Sequence, residues 1–209
     1  MSSLQSDLDT VGAVALSWNL RLNSEKCVVL RFARGFAEWT DENPLAQYFL
    51  NGIPLKFVQS HRDLGVVVDV KLKFHHHVRE VVGKASGLAS SLLRSTVCRS
   101  PHFMVSLFVM HIRPLMDYCS SVWNVGFLGD LRLLESVQRR WTRNVDGLAE
   151  LDYFSRLKQL GLFSIKGRFL RADLIKYWRI ICRLDGGVDL GGIFRRAPDA
   201  KLGAIPISF

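Results

Sequence analysis

Near Phe74 the spacing of apolar residues changes from alternation to recurrence every three or four positions, and this change sets the fold class. Upstream, Cys27-Val28-Val29-Leu30-Arg31-Phe32 is short, apolar and rich in β-branched residues, as a buried strand requires. Gln47-Tyr48-Phe49-Leu50 and Ile53-Pro54-Leu55-Lys56-Phe57 flank Asn51-Gly52, two residues that tolerate the positive φ angles of a tight hairpin turn. Leu64-Gly65-Val66-Val67-Val68-Asp69 supplies a further strand, and Leu4, Leu8, Val11, Val14 or Ala15 and Trp18 fall at helical spacing in front of them. Downstream, Val78, Val81, Val82, Ala85, Leu88, Ala89, Leu92 and Leu93 line one helical face, and everything that follows reads as helical. The expected fold is therefore α+β: a small antiparallel sheet unit with one helix over residues 1–73, then an all-helical bundle over 74–185. Residues 186–209, rich in Gly and Pro and without a period, are expected to form a loosely ordered tail.

Within the bundle, Ser100-Pro101 reads as a helix start, since proline suits the first helical position and serine the cap. Pro114 lacks the N–H that a continuous helix needs and is expected to reset the path between Phe108 and Trp123. Further helices fit near Leu131 to Val145, Tyr153 to Leu160 and Ile165 to Leu184. Cys27, Cys98, Cys119 and Cys182 form no Cys-x-x-Cys pair and sit in apolar contexts, so reduced core thiols are expected. His75-His76-His77 does not read as a metal site, because successive helical residues point about 100° apart.

A net charge of +9 and a pI near 9.7 favour polyanionic partners, because cations that contact phosphates release condensed counterions. No apolar run approaches the roughly 20 residues that span a bilayer, and the first residues lack a secretion signal. An intracellular protein, cytoplasmic or nuclear, with no membrane contact is expected.

The segments Trp18 to Cys27, Arg62 to Val66, Asp69 to Val78, Arg113 to Trp123, Leu134 to Arg143, Tyr153 to Leu162 and Arg168 to Leu174 occur in a fixed order. In that order they resemble the C-terminal part of a non-LTR retrotransposon reverse transcriptase, an RNA-directed DNA polymerase of the jockey/CR1-like kind. Arg113-Pro114-Leu115-Met116-Asp117-Tyr118-Cys119-Ser120-Ser121-Val122-Trp123 is similar to the family's Arg-Pro-x-Leu-Glu-Tyr-x-Ser-x-x-Trp. The resemblance implies that residues 1–73 are the end of the palm and that the helices after Phe74 are a thumb and its extension. The family's metal-binding Asp-Asp hairpin lies upstream of the matching segments. No Asp-Asp pair occurs here, and Asp7 and Asp9 take no catalytic role by the resemblance. Catalysis is thus not expected of this chain alone, and Mg2+ would belong to the missing palm, with an N-terminal polymerase part as a candidate partner.

Lys26 falls in the stretch that resembles motif D, where a lysine is proposed to protonate a leaving pyrophosphate; for the chain by itself the preferred reading is a solvated lysine before a strand. Leu64, Gly65 and Val66 match the primer grip, while Gly65 alone also reads as a strand glycine marking a bulge. Arg139, Arg140 and Arg143 crowd the last turns of one helix, and Arg168, Lys176, Arg179 and Arg183 form a face of another, opposite Leu170, Leu174, Tyr177 and Ile181. Arginine suits phosphate because its planar fork of donors stays charged. These seven cations are the expected contacts to RNA and DNA primer–template, against the alternative of solvated faces. Trp141, Tyr153, Phe169 and Trp178 interleave with them but lie on or near the apolar stripes, which places them in the core. The competing functions are a non-catalytic nucleic-acid or ribonucleoprotein binder and a decayed remnant of a mobile element.

Overall fold

The computed structural model describes residues 3–32, 47–182 and 184. The polar stretch through Pro44, Arg183 and the tail from 186 lie outside the described residues. The expected order stands: a small mixed region of strands with one helix, then a long all-helical bundle.

Helix α1 (Ser3–Ser17) lies on the hairpin of β2 (Phe49–Leu50) and β3 (Ile53–Pro54). Small residues make that approach possible. A Cβ on Gly12 would come within 2.9 Å of the Asn51 side-chain oxygen, and Ala15 is buried one turn on. Gln5 seals the strand edge, its amide donating to the Phe49 carbonyl at 3.0 Å and accepting from the Phe49 N–H at 2.9 Å. The hairpin turns on Asn51 (φ 53°) and Gly52 (φ 77°), the left-handed pair that its sequence demands.

A short 3-10 turn at Ser24–Lys26, capped by the Asn23 side chain, leads into β1 (Val28–Leu30). β1 pairs with β4 (Lys56–Val58), and here the pairing is parallel, in contrast to the antiparallel pairs on either side. A parallel partner needs a long connection, which the residues between β1 and β4 supply. β5 (Ser60–Asp63) and β6 (Val66–Asp69) form a third, separate two-stranded sheet.

The joint into the bundle is built by Asp69, whose carboxylate accepts from the backbone N–H groups of Lys71 at 2.8 Å, Lys73 at 3.4 Å and Phe74 at 3.0 Å. That turn is tight enough to hold Leu72 (φ 51°) and Phe74 (φ 56°) in the left-handed region. Then follow α2 (His75–Ser95), α3 (Pro101–Leu107), a π-helical turn (Phe108–Ile112), α4 (Arg113–Asp117), α5 (Ser120–Trp123), α6 (Leu128–Arg143), α7 (Tyr153–Gln159) and α8 (Ile165–Ile181). Ser100 precedes α3 without a side-chain cap bond. The proline effect appears just before Pro114: the chain widens into the π turn, and the Arg113 N–H closes it by donating to the Phe108 carbonyl.

One core joins these helices through Met104, Phe108, Ile112, Met116, Trp123, Leu134, Val137, Trp141 and Ile165, and it takes in Val66 from β6. Trp141 is 1% exposed, and its indole N–H donates to the Met104 carbonyl at 3.1 Å, so the buried polar atom is satisfied. Tyr153 and Phe169 are also buried.

Two expectations about the interior are corrected. Trp178, Leu170, Leu174, Tyr177 and Ile181 are exposed, because α8 docks through Ile165 and Phe169 and then leaves the core. Helical spacing identifies an apolar face but not how far along the helix a partner extends. The cysteines are free, but only Cys27 and Cys119 are half-buried, whereas Cys98 and Cys182 are exposed.

Candidate nucleic-acid interface

On α6, Arg139 and Arg140 point about 100° apart, and Arg143 falls between their directions one turn on. The Arg139 guanidinium lies 4.7 Å from the centre of the Tyr153 ring, a cation–π contact beneath which the Tyr153 hydroxyl donates to Glu135. Arg140 reaches back to α2 and donates to the Ser86 carbonyl at 3.2 Å. Arg143, on the last turn, is exposed. All three are exposed, and two of them also link α6 to its neighbours.

The cations of α8 fall differently. Arg168 pairs with Asp117 at the end of α4, and Lys176 and Arg179 line a groove of about 500 Å³ between α5 and α8. Asp117, Cys119, Ser120 and Ser121 form its opposite wall. Arg113 sits behind the same carboxylate, and its pKa is lowered, first by burial and then by the charge of Arg168, with Asp117 opposing. Two guanidiniums thus lie near one carboxylate, and Arg168 is the one paired with it. Each has a buried Nε atom with no hydrogen-bond partner, so the cluster holds more positive charge than its own acid neutralises.

The Leu64–Gly65 turn, matched in sequence to a primer grip, projects from the β5–β6 hairpin beside α2 and α4. Leu64 takes φ 45° and Gly65 φ 89°. A left-handed leucine is uncommon, because its Cβ crowds the carbonyl and costs about 1–2 kcal/mol, and this one is 83% exposed. Both turn carbonyls are occupied from within the chain. The Tyr118 hydroxyl donates to the Leu64 carbonyl at 2.9 Å, and Arg62 donates to the Gly65 carbonyl at 3.1 Å while pairing with Glu80 on α2. The Arg62 hydrogen bond is the main reason the Glu80 carboxyl lies below the ordinary range. Below the turn is a cavity of about 290 Å³ lined by Gly65, His77, Glu80, Lys84, Leu115 and Tyr118, among others.

Lys26 is exposed in the 3-10 turn before β1. The three histidines diverge. His75 meets Asp130 at 2.7 Å, His76 meets Glu80 at 3.5 Å, and His77 is buried, its Nδ1 accepting from the Val67 N–H at 3.3 Å. Among the described residues no group of three His, Cys, Asp or Glu side chains is placed to hold a metal ion. The carboxylates present therefore do not fit a two-metal centre, which needs acids clamping cations about 3.5–4 Å apart. No helix among the described residues is long and apolar enough to cross a membrane.

Sequence reasoning missed Arg113, Tyr118, Arg62 and Glu80. Tyr118 carried a signal, an aromatic residue in the Arg113 to Trp123 segment, but the partner carbonyl lies 54 positions away. Long-range pairs of this kind have no period to reveal them.

Over 152 residues, 70% of its length, the chain is 26% identical to a Drosophila melanogaster protein described as RNA-directed DNA polymerase from mobile element jockey, of which it covers 16%. Over 122 residues, 57% of its length, it is 27% identical to an uncharacterized protein of Caenorhabditis elegans, of which it covers 62%. The chain thus spans less than two thirds of either relative, and the likeness is a distant one. No protein-family model matches it, and no solved structure does.

Proposed function

We propose that this chain is the palm end and thumb of a mobile-element reverse transcriptase of the jockey/CR1-like kind, and that it binds RNA–DNA primer–template without catalysing synthesis. One observation carries the binding: the groove between α5 and α8 is lined by Lys176 and Arg179, and near its wall residue Asp117, which pairs with Arg168, lies a second guanidinium, Arg113. A concave surface with such a charge balance attracts a phosphate backbone and gains affinity as counterions leave. Arg143 and Arg168 complete the proposed set. Arg139 and Arg140 are exposed but engaged by Tyr153 and by the Ser86 carbonyl, and they contribute less. The Leu64–Gly65 turn is the proposed grip on the primer end, and the catalytic carboxylates with Mg2+ belong to another polymerase portion, the proposed partner.

A retained nucleic-acid binder without any polymerase partner is the second reading. What favours the first is the apolar surface of the sheet unit, where Val11, Val14 and Trp18 are exposed on or just after α1. Surfaces of that kind mark interfaces with missing neighbours.

The test is anisotropy of a labelled RNA–DNA primer–template across a salt series. The double variant Lys176→Glu with Arg179→Glu is expected to weaken binding to all sequences alike and to lower the salt slope by about 2. A slope equal to that of the unchanged chain removes the groove from the interface.

A further inference from the structure

The β5–β6 hairpin belongs to the sheet unit by sequence position, and β5 touches β1, yet its side-chain hydrogen bonds and ion pair run to α2 and to Tyr118. It forms its own two-stranded sheet, hydrogen-bonded to neither of the other two as a ladder. In its register Arg62 lies opposite Val67 between the pairs Asp63–Val66 and His61–Val68. In a tight hairpin that position does not exchange hydrogen bonds across the strands, so the Val67 N–H faces outward. It donates to His77 of α2. Val66 is part of the bundle core, and Asp69 ties the end of β6 to the start of α2.

At its other end the turn stands over the cavity of about 290 Å³ rather than on packed side chains. Dispersion contacts fall off steeply across a gap, so they position the turn poorly. What crosses the gap is polar: Tyr118 to the Leu64 carbonyl and Arg62, braced by Glu80, to the Gly65 carbonyl. A Cβ on Gly65 would meet the Tyr118 ring at 3.6 Å, an ordinary contact distance, so the ring stands close beside the turn without being jammed against it.

We propose that the β5–β6 hairpin is carried by the helical bundle as one body, and that Tyr118 is the positioning residue that sets its Leu64–Gly65 turn. The hinge of the chain then lies before β5, near Gln59, and not at residue 73. A thumb movement would take the turn with it, so groove and grip keep a constant separation. The binding part of this inference rests on the proposed function; the mechanical part does not.

The experiment compares the full chain with Tyr118→Phe, which deletes one hydroxyl and keeps the ring. Amide exchange at Val67 reports the docking of hairpin on bundle, and exchange at Leu55, whose N–H donates to the Tyr48 carbonyl, reports the rest of the sheet unit. The expected result is exchange about tenfold faster at Val67 and unchanged at Leu55. Primer–template affinity should fall severalfold with the same salt slope, since no phosphate contact is lost. Unchanged exchange at Val67 overturns the proposal, as does equal acceleration at both amides, which would join the hairpin to the other strands. Weaker binding without faster exchange also overturns it, because Tyr118 would then touch the nucleic acid directly. Faster exchange with unchanged affinity overturns the positioning role. Should the unchanged chain fail to bind at all, the proposed function falls, and Val67 still decides the mechanics. Arg62→Gln, which removes the ion pair to Glu80, is the second variant if Tyr118→Phe does not fold.

Discussion

The helical bundle and the sheet unit ahead of it are built to different standards of burial. Among the described residues, the bundle encloses Trp123, Trp141, Phe108, Met104, Ile112 and Met116, each at 1% exposure or less. Before β5 the buried apolar residues are Ala15, Leu50 and Leu55, while Leu4, Val11, Val14, Leu16, Trp18 and Leu20 are exposed on or just after α1. Burying apolar surface stabilises by about 25 cal/mol per Å², so the difference is energetic as well as geometric. Among the described residues the bundle encloses its own core, whereas the apolar residues on and just after α1 are largely exposed.

The largest test of this contrast is Trp141→Ala. Trp141 fills the centre of the bundle, and its replacement should cost about 3–5 kcal/mol, read as a lowered denaturant midpoint for helical circular dichroism. Normal stability with lost binding would instead make Trp141 a stacking platform. Limited proteolysis comes next. Cleavage is expected first before Ser60, leaving a resistant fragment that contains the β5–β6 hairpin together with the bundle. A first cut within residues 70–74 would restore the boundary that the hydrophobic period alone suggests.

Most of the fold was legible because its signals are local. Asn51-Gly52 specified its turn through two residues alone, and the period downstream of Phe74 specified α2. The β1–β4 pairing was not, since its parallel register joins Val28 to Lys56 and depends on no adjacent residues. The site was legible in composition but not in arrangement. Arg139, Arg140 and Arg143 read as one cluster along the chain, whereas the helix pitch directs one onto Tyr153 and another onto Ser86. Conversely, Arg168 of α8 pairs with Asp117 of α4 across 51 positions. A helical wheel cannot show either outcome, because each is decided by a neighbouring helix.

Acidification should separate the two regions further. Burial, the largest cause, holds the His77 pKa below its ordinary 6.5, with Arg62, Lys84 and His76 acting in the same sense and Glu80 opposing. A group whose folded pKa is depressed favours the neutral folded form, so its contribution is complete above the unfolded value and is lost as pH falls through the folded one. Protonation also removes the Nδ1 lone pair that accepts the Val67 N–H. Glu80 acts in the same direction in a lower window, since its own pKa is depressed beneath 4.5 by the Arg62 hydrogen bond. Protection of Val67 should therefore decline below about pH 6.5, ahead of any loss at Leu55. Simultaneous loss at both amides would mean that His77 does not set the docking.

The smallest expected effect is the sharpest check on independence. Gly52 has φ 77° with nothing within 4 Å of an added Cβ, so Gly52→Ala introduces backbone strain and no clash. The cost should be about 1 kcal/mol, equivalent to about fivefold faster exchange at Leu55, whose N–H closes the strand after the turn. If the regions are energetically separate, Val67 and the helical midpoint remain where they were, because sites with no shared partners add without coupling. If Val67 accelerates as well, strain passes across Gln59, whose carbonyl accepts from the Val70 N–H at 3.0 Å. That hydrogen bond would then be the link that makes one cooperative unit of two regions, and the hinge before β5 would be closed by it.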